Sequence, residues 1–287
     1  MKRATAILVS DIHLREDTPT CRLDSFWEAQ WRKLDYISAL AEELDCPVVH
    51  GGDLFHHWKP SPYLLSMTIQ HLPRQFWTVY GNHDLPQHNL DLVEKCGLNV
   101  LEAAGRIRVL PGTHFGQKPA GASFIIGGRK VLVWHVMTWA GSLPYPDCPD
   151  PGAHILLKNW PDYDLILTGD NHQTFVAKFK GRVLVNPGSM SRQTAAQEHH
   201  RPCVFIWYAD TNEVEEVALP IDDDVVSRDH IIRKQERDGR LHAFISRLDN
   251  DWKASVSFED NVEQLLAKNQ IRTSVAKIVK SVVYETN

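Results

Sequence analysis

Residues of metal-ligand type fall at the ends of short apolar runs. Asp11 and His13 follow the run Ala4–Ser10, Asp53 follows Pro47–His50, and Asn82, His83 and Asp84 follow Phe76–Tyr80. His135 closes Val131–His135, while Asp170 and His172 follow Leu165–Thr168. In Asp-Ile-His and Asp-Asn-His the outer residues stand at i and i+2, a spacing that directs both side chains to one side of extended backbone. Carboxylate, imidazole and amide oxygen without a thiolate suit Mn²⁺, Fe or Zn²⁺. A carboxylate can bridge two cations, and two cations about 3.5–4 Å apart can share a hydroxide and clamp a phosphate for in-line displacement at phosphorus. One strand-end Asp or His reads as easily as a turn former. Gly81-Asn82-His83-Asp84 has no evident packing purpose, and the plain reading would have to hold independently at five places. The set is therefore read as a metal site.

The elements that must position these residues are legible as patterns. Ala4–Ser10, Pro47–His50, Phe76–Tyr80, Phe124–Ile126, Val131–His135 and Leu165–Thr168 read as strands. A helix bearing Phe26, Leu34, Ile37, Leu40 and Leu44 separates the first two, and another spans about Ser61 to His71. Polar residues at strand carboxyl ends open into the ligand crevice of an α/β sheet. From Phe175 the pattern changes to hairpins, with Phe175–Lys178 and Val183–Asn186 flanking Lys180-Gly181, and Cys203–Ala209 and Val214–Ala218 flanking Asp210-Thr211-Asn212. Mixed sheets with helices outside follow from this order.

Asp222-Asp223-Asp224 marks a change of composition. Beyond it Leu241, Phe244, Ile245 and Leu248 fall at helical spacing, Ser257 is placed to cap a helix bearing Phe258, Val262, Leu265 and Leu266, and Ile271, Val275, Ile278, Val279, Val282 and Val283 form an apolar stripe. Residues 1–220 are expected to form the catalytic domain and 221–287 a small helical extension, packed on it or presented to a partner.

Bulk properties exclude several classes. The chain has 287 residues, 43% of them hydrophobic and nine of them Trp, ample for a buried core. No apolar run approaches the roughly 20 residues needed to span a bilayer. The short apolar stretch behind Met1-Lys2-Arg3 ends at Asp11 with no cleavage-site pattern, so it is read as the first strand of a cytoplasmic protein. The five cysteines (Cys21, Cys46, Cys96, Cys148, Cys203) contain no CxxC pair and are expected to be buried free thiols. A net charge of −5 argues against coating nucleic acid by global electrostatics, although a local basic rim and bound cations still permit a nuclease.

The order Asp-x-His, Gly-Gly-Asp, Gly-Asn-His-Asp, strand-end His and Gly-x-x-His resembles the calcineurin-like metallophosphoesterase superfamily. Gly52-Asp53-Leu54-Phe55-His56 with Lys59-Pro60-Ser61, and Gly81-Asn82-His83-Asp84-Leu85-Pro86, further resemble the SbcD-type DNA repair nuclease subunit. The resemblance implies a four-layer αββα sandwich and two divalent ions. One would be held by Asp11, His13, Asp53 and His172, the other by Asp53, Asn82, His135 and residue 170, with Asp53 bridging. It also implies that His83 sits by the scissile phosphate with Asp84 orienting its ring, and that His56 lies close to substrate.

The usual Gly-His-x-His reads Gly169-Asp170-Asn171-His172 here. A third ligand carboxylate lowers the net charge of the pair, making its bound water a weaker acid, and tilts the second site towards Mn²⁺ or Mg²⁺ over Zn²⁺. The expected enzyme is a Mn²⁺-preferring phosphodiesterase, a DNA exo- or endonuclease using a metal-bridging hydroxide. The resemblance adds an SbcC-like coiled-coil ATPase partner and a possible homodimer, with DNA as substrate and no membrane. The competing readings are a small-molecule phosphodiesterase, nucleotide pyrophosphatase or phosphoprotein phosphatase on the same scaffold, and a scaffold subunit without turnover. Among weaker signals, Phe55-His56-His57-Trp58-Lys59 offers stacking and phosphate contact to a nucleic-acid strand. His199-His200 reads as a solvated loop, Trp134 and Trp139 as core, and Asn186-Pro187-Gly188-Ser189 as a turn closing the back of the pocket.

Overall fold

The computed structural model describes residues 2–111, 123–251, 258–269 and 271–284. In chain order they form β1 (Ala6–Val9), α1 (Phe26–Leu44), β2 (Val48–His50), α2 (Pro62–His71), β3 (Phe76–Thr78), α3 (Gly97–Ala103), β4 (Arg108–Val109), β5 (Ser123–Ile126) and β6 (Arg129–His135). There follow α4 (Ala153–Asn159), β7 (Leu165–Gly169), β8 (Phe175–Phe179), β9 (Arg182–Asn186), β10 (Cys203–Tyr208), β11 (Glu213–Ala218), α5 (Asp229–Asp251), α6 (Phe258–Lys268) and α7 (Thr273–Tyr284). The fold is mixed α/β, with two sheets flanked by helices.

One sheet runs β11-β10-β1-β2-β3-β4 and the other β5-β6-β7-β9-β8. In the first, β1, β2, β3 and β4 are parallel and β10 and β11 are antiparallel additions. In the second, β6, β7 and β9 are parallel, and β5 and β8 pair antiparallel at the edges. Parallel pairing places the carboxyl ends of β1, β2 and β3 along one rim, and those of β6 and β7 along another.

Strand alternation divides the core into three layers. Ala6 and Leu8 of β1, Val49, Val131, Val133, Leu165, Leu167, Val183, Val185, Phe205 and Trp207 pack between the sheets. The alternate residues Ile7, Val9, Val48, Val204 and Ile206 face Trp31, Leu34 and Ile37 of α1. Leu132, Trp134, Ile166 and Leu184 face Ala153, Leu156 and Leu157 of α4. The central strands are thus buried on both faces, which is why they read as continuous apolar runs. Helix termini follow local chemistry: the Ser25 and Ser61 side chains accept the Glu28 and Leu64 N–H groups at the starts of α1 and α2, and Pro62 occupies the first turn of α2.

The chain falls into two compact units, Met1–Ser227 and Arg228–Asn287. Residues 225–227 stay with the first because Leu23 N–H donates to the Val225 carbonyl (3.0 Å) and Ser227 N–H to that of Cys21 (2.7 Å). The second unit holds α5, α6 and α7, with Lys280 paired to Glu263 at 2.8 Å; the expected cap at Ser257 lies outside the described residues. No helix among the described residues is long and apolar enough to cross a membrane. All five cysteines are free, four buried and Cys148 half-buried.

Because Leu8 is fully enclosed between the sheets, Leu8→Ala is expected to cost about 2–5 kcal/mol, read as a lower urea midpoint at unchanged slope. A loss well under 1 kcal/mol would contradict a packed inter-sheet layer.

Candidate metal centre

Each candidate ligand stands where a strand stops. Asp11, His13, Asp53 and Asp170 all take left-handed backbone (φ 50°, 49°, 60° and 76°), a conformation costing of order 1–3 kcal/mol outside glycine and concentrated at functional sites. The turns throw their side chains out of the strand pleat and into the gap between the rims. Cross-sheet hydrogen bonds close that gap: Asp170 N–H donates to Asp11 Oδ1 (3.1 Å), and His135 Nδ1 donates to the Gly51 carbonyl (2.8 Å).

Two groups of donor atoms result. His13 Nε2 lies 3.1 Å from His172 Nε2, 3.9 Å from Asp11 Oδ1 and 3.5 Å from Asp53 Oδ2, and His172 Nε2 lies 3.7 Å from Asp11 Oδ1. On the other side His135 Nε2 lies 3.0 Å from Asn82 Oδ1, 3.4 Å from Asp53 Oδ2 and 3.9 Å from Asp170 Oδ1. Asp53 Oδ2 is common to both. Ligands about 2.1 Å from one ion, at roughly 90–110° to each other, stand about 3.0–3.5 Å apart, so most of these separations match a shared ion.

The lone pairs make the same point. His135 Nδ1 faces a carbonyl and must carry the ring proton. In the neutral tautomer its Nε2 lone pair then confronts the oxygens of Asn82 and Asp53, which only accept. A proton or a cation must sit between them. Committing the second ring nitrogen to a carbonyl is also the usual support for an imidazole ligand. The residues present fit two divalent ions: Asp11, His13, Asp53 and His172 would hold one, and Asp53, Asn82, His135 and Asp170 the other.

The electrostatics of the pocket reflect its crowding. Burial disfavours a charged His135, but Asp53, Asp11 and Asp170 outweigh it and push its pKa up to about 10. Burial would raise Asp53, but His135 and His13 hold it well below the usual carboxylate range. Asp11 is pushed up to about 7 by burial, with Asp53 adding to the rise and His135 opposing it. Burial raises Asp170 and lowers His13 and His172. Burial thus works against charge on Asp11, Asp170, His13 and His172 alike, and a bound cation would offset it for the carboxylates.

His83 Nδ1 donates to the His56 carbonyl (2.8 Å), and the His83 ring lies 4.8 Å from that of His13 and 5.4 Å from that of His56, centre to centre. Burial, then Arg15 and His83, lowers His56 to about 4. Asp84 departs from the expected role. Its buried carboxylate accepts the N–H groups of Asp53 (2.9 Å), Leu54 (3.3 Å), Phe55 (3.1 Å) and Gly81 (3.0 Å), and the His56 carbonyl orients the His83 ring. Asp84 therefore shapes the Asp53 loop, while burial and Asp53 push its carboxyl up to about 7 against those four donors.

Phe55 belongs to the core under the first sheet and Trp58 packs against it, so Phe55 offers no stacking face to a strand. Trp134 is core, whereas Trp139 is half-buried with its indole N–H on the Asp150 carbonyl (2.9 Å). His200 is bound to the Ser189 carbonyl (2.8 Å) rather than solvated. Asn186 has a larger part than a hairpin exit: its amide donates to the carbonyls of Asn171 and Gln173 (2.6 Å each), bracing the loop that carries Asp170 and His172. Sequence reasoning also missed Asn171, which donates to the Thr138 carbonyl (2.7 Å), and Arg15, Gln30 and Gln193 beside His13. The glycines were the available signal. A Cβ on Gly81 would overlap Asp53 Oδ1, and one on Gly52, at φ +100°, would overlap the His135 ring.

Comparison with known proteins follows this geometry. The sequence profile described as the calcineurin-like phosphoesterase superfamily domain matches residues 5–211. The chain is 26% identical over 208 residues to the DNA double-strand break repair protein Mre11 of Haloferax volcanii, a match covering 59% of this chain and 43% of that protein. It thus spans less than half the length of that curated relative. Among solved structures, an archaeal phosphodiesterase aligns with TM-score 0.44 and 14% identity over 75% of this chain and 99% of its own. A metallophosphoesterase from Sphaerobacter thermophilus aligns with TM-score 0.42 and 17% identity over 76% and 89%.

Gly81→Ala forces a methyl group into the Asp53 carboxylate. The expected outcome is destabilisation of roughly 1–3 kcal/mol with metal content, measured by plasma mass spectrometry, falling well below wild type. Full metal content would show that the Asp53 loop has room to move.

Proposed function

The chain belongs to the calcineurin-like phosphoesterase superfamily, and from that premise we propose that it is a dinuclear metal-dependent phosphodiesterase that cleaves DNA. The observation that carries the catalytic half is the shared carboxylate: Asp53 Oδ2 stands 3.5 Å from His13 Nε2 and 3.4 Å from His135 Nε2. The DNA half is supported by the resemblance of Gly52–His56 and Gly81–Pro86 to SbcD-type nuclease subunits, and by the 26% identity to a DNA break repair protein.

When bound, the two ions supply charge neutralisation at phosphorus and a nucleophile drawn from water. The protein's own residues do the rest. Asp11, His13, Asp53 and His172 hold one ion and Asp53, Asn82, His135 and Asp170 the other. His83 has Nδ1 fixed on a carbonyl, leaving Nε2 to hold the proton that the leaving oxygen takes. His56, stacked on His83 at the pocket mouth, restricts that ring and lines the leaving-group side. Asp84 fixes the Asp53 loop through its four amide bonds. Mn²⁺ is the proposed metal, because Asp170 adds a third carboxylate where the family pattern has imidazole. Val275 and Ile278 of α7 are exposed, and this helical unit is the proposed docking segment for a coiled-coil ATPase or a second copy. Five free cysteines fit a reducing cytoplasm.

With Mn²⁺ the protein should cleave end-labelled DNA and bis(p-nitrophenyl) phosphate, and chelator should abolish both activities. Turnover of cyclic nucleotides or phosphopeptides with DNA left intact would overturn the DNA reading. His83→Ala is expected to lower kcat at least a hundredfold with both metals retained; loss of metal would make His83 a ligand instead. Asp170→His should shift preference from Mn²⁺ towards Zn²⁺ and move the pH–rate profile to lower pH. If neither changes, Asp170 is not a ligand.

A further inference from the structure

Arg15 is held in place by more of the protein than its surface position requires. Its N–H donates to Gln30 Oε1 (3.2 Å) and its carbonyl accepts from Gln30 Nε2 (2.8 Å). Gln30 is a fully buried residue of α1, so a buried amide is committed at both ends to one residue's backbone. The segment after His13 runs alongside the one after Asp53: Leu14 N–H donates to the Leu54 carbonyl (2.8 Å), His56 N–H donates to that of Leu14 (3.0 Å), and Leu14 pairs in parallel with Phe55. Leu14 and Phe55 both turn into the core. The next residue on each segment, Arg15 and His56, turns the opposite way, to the side where His56 stacks on His83.

The guanidinium is tied to the same place. Its Nη1 donates to Gln193 Oε1 (3.4 Å), and Gln193 Nε2 donates to the carbonyl of the ligand residue His13 (3.3 Å). Its Nε and Nη2 donate to Asp17. Arg15 and Asp17 both act on the His56 ring through charge, the first disfavouring and the second favouring its protonated form. The two halves of the pair differ in exposure. The Arg15 side chain is 16% exposed, whereas that of Asp17 is 70% exposed. Such an exposed ion pair adds little to stability, so another anion can exchange for its carboxylate. Without Asp17 the guanidinium keeps its bond to Gln193 on a backbone fixed by Gln30, and the natural partners of this planar fork are a carboxylate or a phosphate.

We infer that Arg15 forms a subsite for a second phosphate of the substrate, beside the metal centre on the leaving-group side, with Asp17 occupying the fork until substrate displaces it. The inference rests on the phosphodiesterase reading. It makes the preferred substrate a diester that carries a further phosphate, as every internal linkage of a polynucleotide does, and disfavours an isolated diester.

The dinucleotides TpT, pTpT and TpTp present one scissile linkage with no second phosphate, or with one on either side. At low salt, where rim charges are least screened, wild type with Mn²⁺ is expected to favour one of the two-phosphate dinucleotides over TpT at least tenfold in kcat/KM, chiefly through KM. Arg15→Ala should abolish that preference and Arg15→Lys should keep part of it. Asp17→Asn, which removes the competing carboxylate, should lower KM for the preferred dinucleotide. Equal use of all three dinucleotides by wild type, a preference surviving Arg15→Ala, or a rise of KM in Asp17→Asn matching that of Arg15→Ala would each overturn the subsite. Failure of wild type on all three and on bis(p-nitrophenyl) phosphate would instead overturn the phosphodiesterase reading beneath it.

Discussion

A carboxylate oxygen of Asp53 faces the imidazole nitrogens of His13 and His135, with Asp11, Asn82, Asp170 and His172 closing around them. Acceptors crowded at this spacing repel one another unless positive charge lies among them. Asp53, Asp11 and Asp170 draw a proton onto His135 at pH values where an ordinary histidine is neutral. His13 and His172 place their Nε2 atoms 3.1 Å apart, where one ring can donate its N–H to the other or both can turn lone pairs to an ion. The proposed pair of divalent ions would satisfy both sides together.

That arrangement is unfavourable to build, and the rest of the fold reads as what enforces it. Four ligand residues sit in left-handed backbone, and such strain persists only where the surroundings over-determine it. Here the strands behind them are locked by three apolar layers. The loops ahead are pinned by buried polar groups, with Asp84 gathering four amides around the Asp53 loop and Asn186 bracing the loop of Asp170 and His172.

Strand ends, ligand types and their order were legible in the sequence because each is local: an apolar run stops, and a ligand-type residue follows. The same locality shows a helix starting near Ser61 and Lys180-Gly181 as a hairpin turn, whose residues take φ 50° and 77°. What escaped is non-local. Asp84 stands next to His83 in the chain, yet its partners are 29–31 residues away apart from Gly81. Gln30, Gln193 and Asn186 have side chains that fit a helix, loop or strand end anywhere, and acquire meaning only through the backbone they grip. The seven-residue helices α3 and α4 are less than two full turns, too short for a 3.6-residue period to emerge. The pairing of residues 225–227 with residues 21–23 is likewise a link no composition change can reveal.

Charge balance joins the metal centre to its rim. With Asp170 as a ligand, three carboxylates set against two dications would leave a single positive charge, one fewer than the pattern with imidazole at position 170. A phosphodiester carries one negative charge, so such a centre would hold it less strongly than one with imidazole there, and a net charge of −5 adds no general attraction. Under the proposed subsite, the Arg15 guanidinium would supply local positive charge once a substrate phosphate displaces Asp17, without placing that charge among the ligands. Asp170 and Arg15 would then be two halves of one adjustment: charge withdrawn from the reacting phosphorus would be supplied next to it, where it would discriminate between substrates by what they carry beyond the scissile bond.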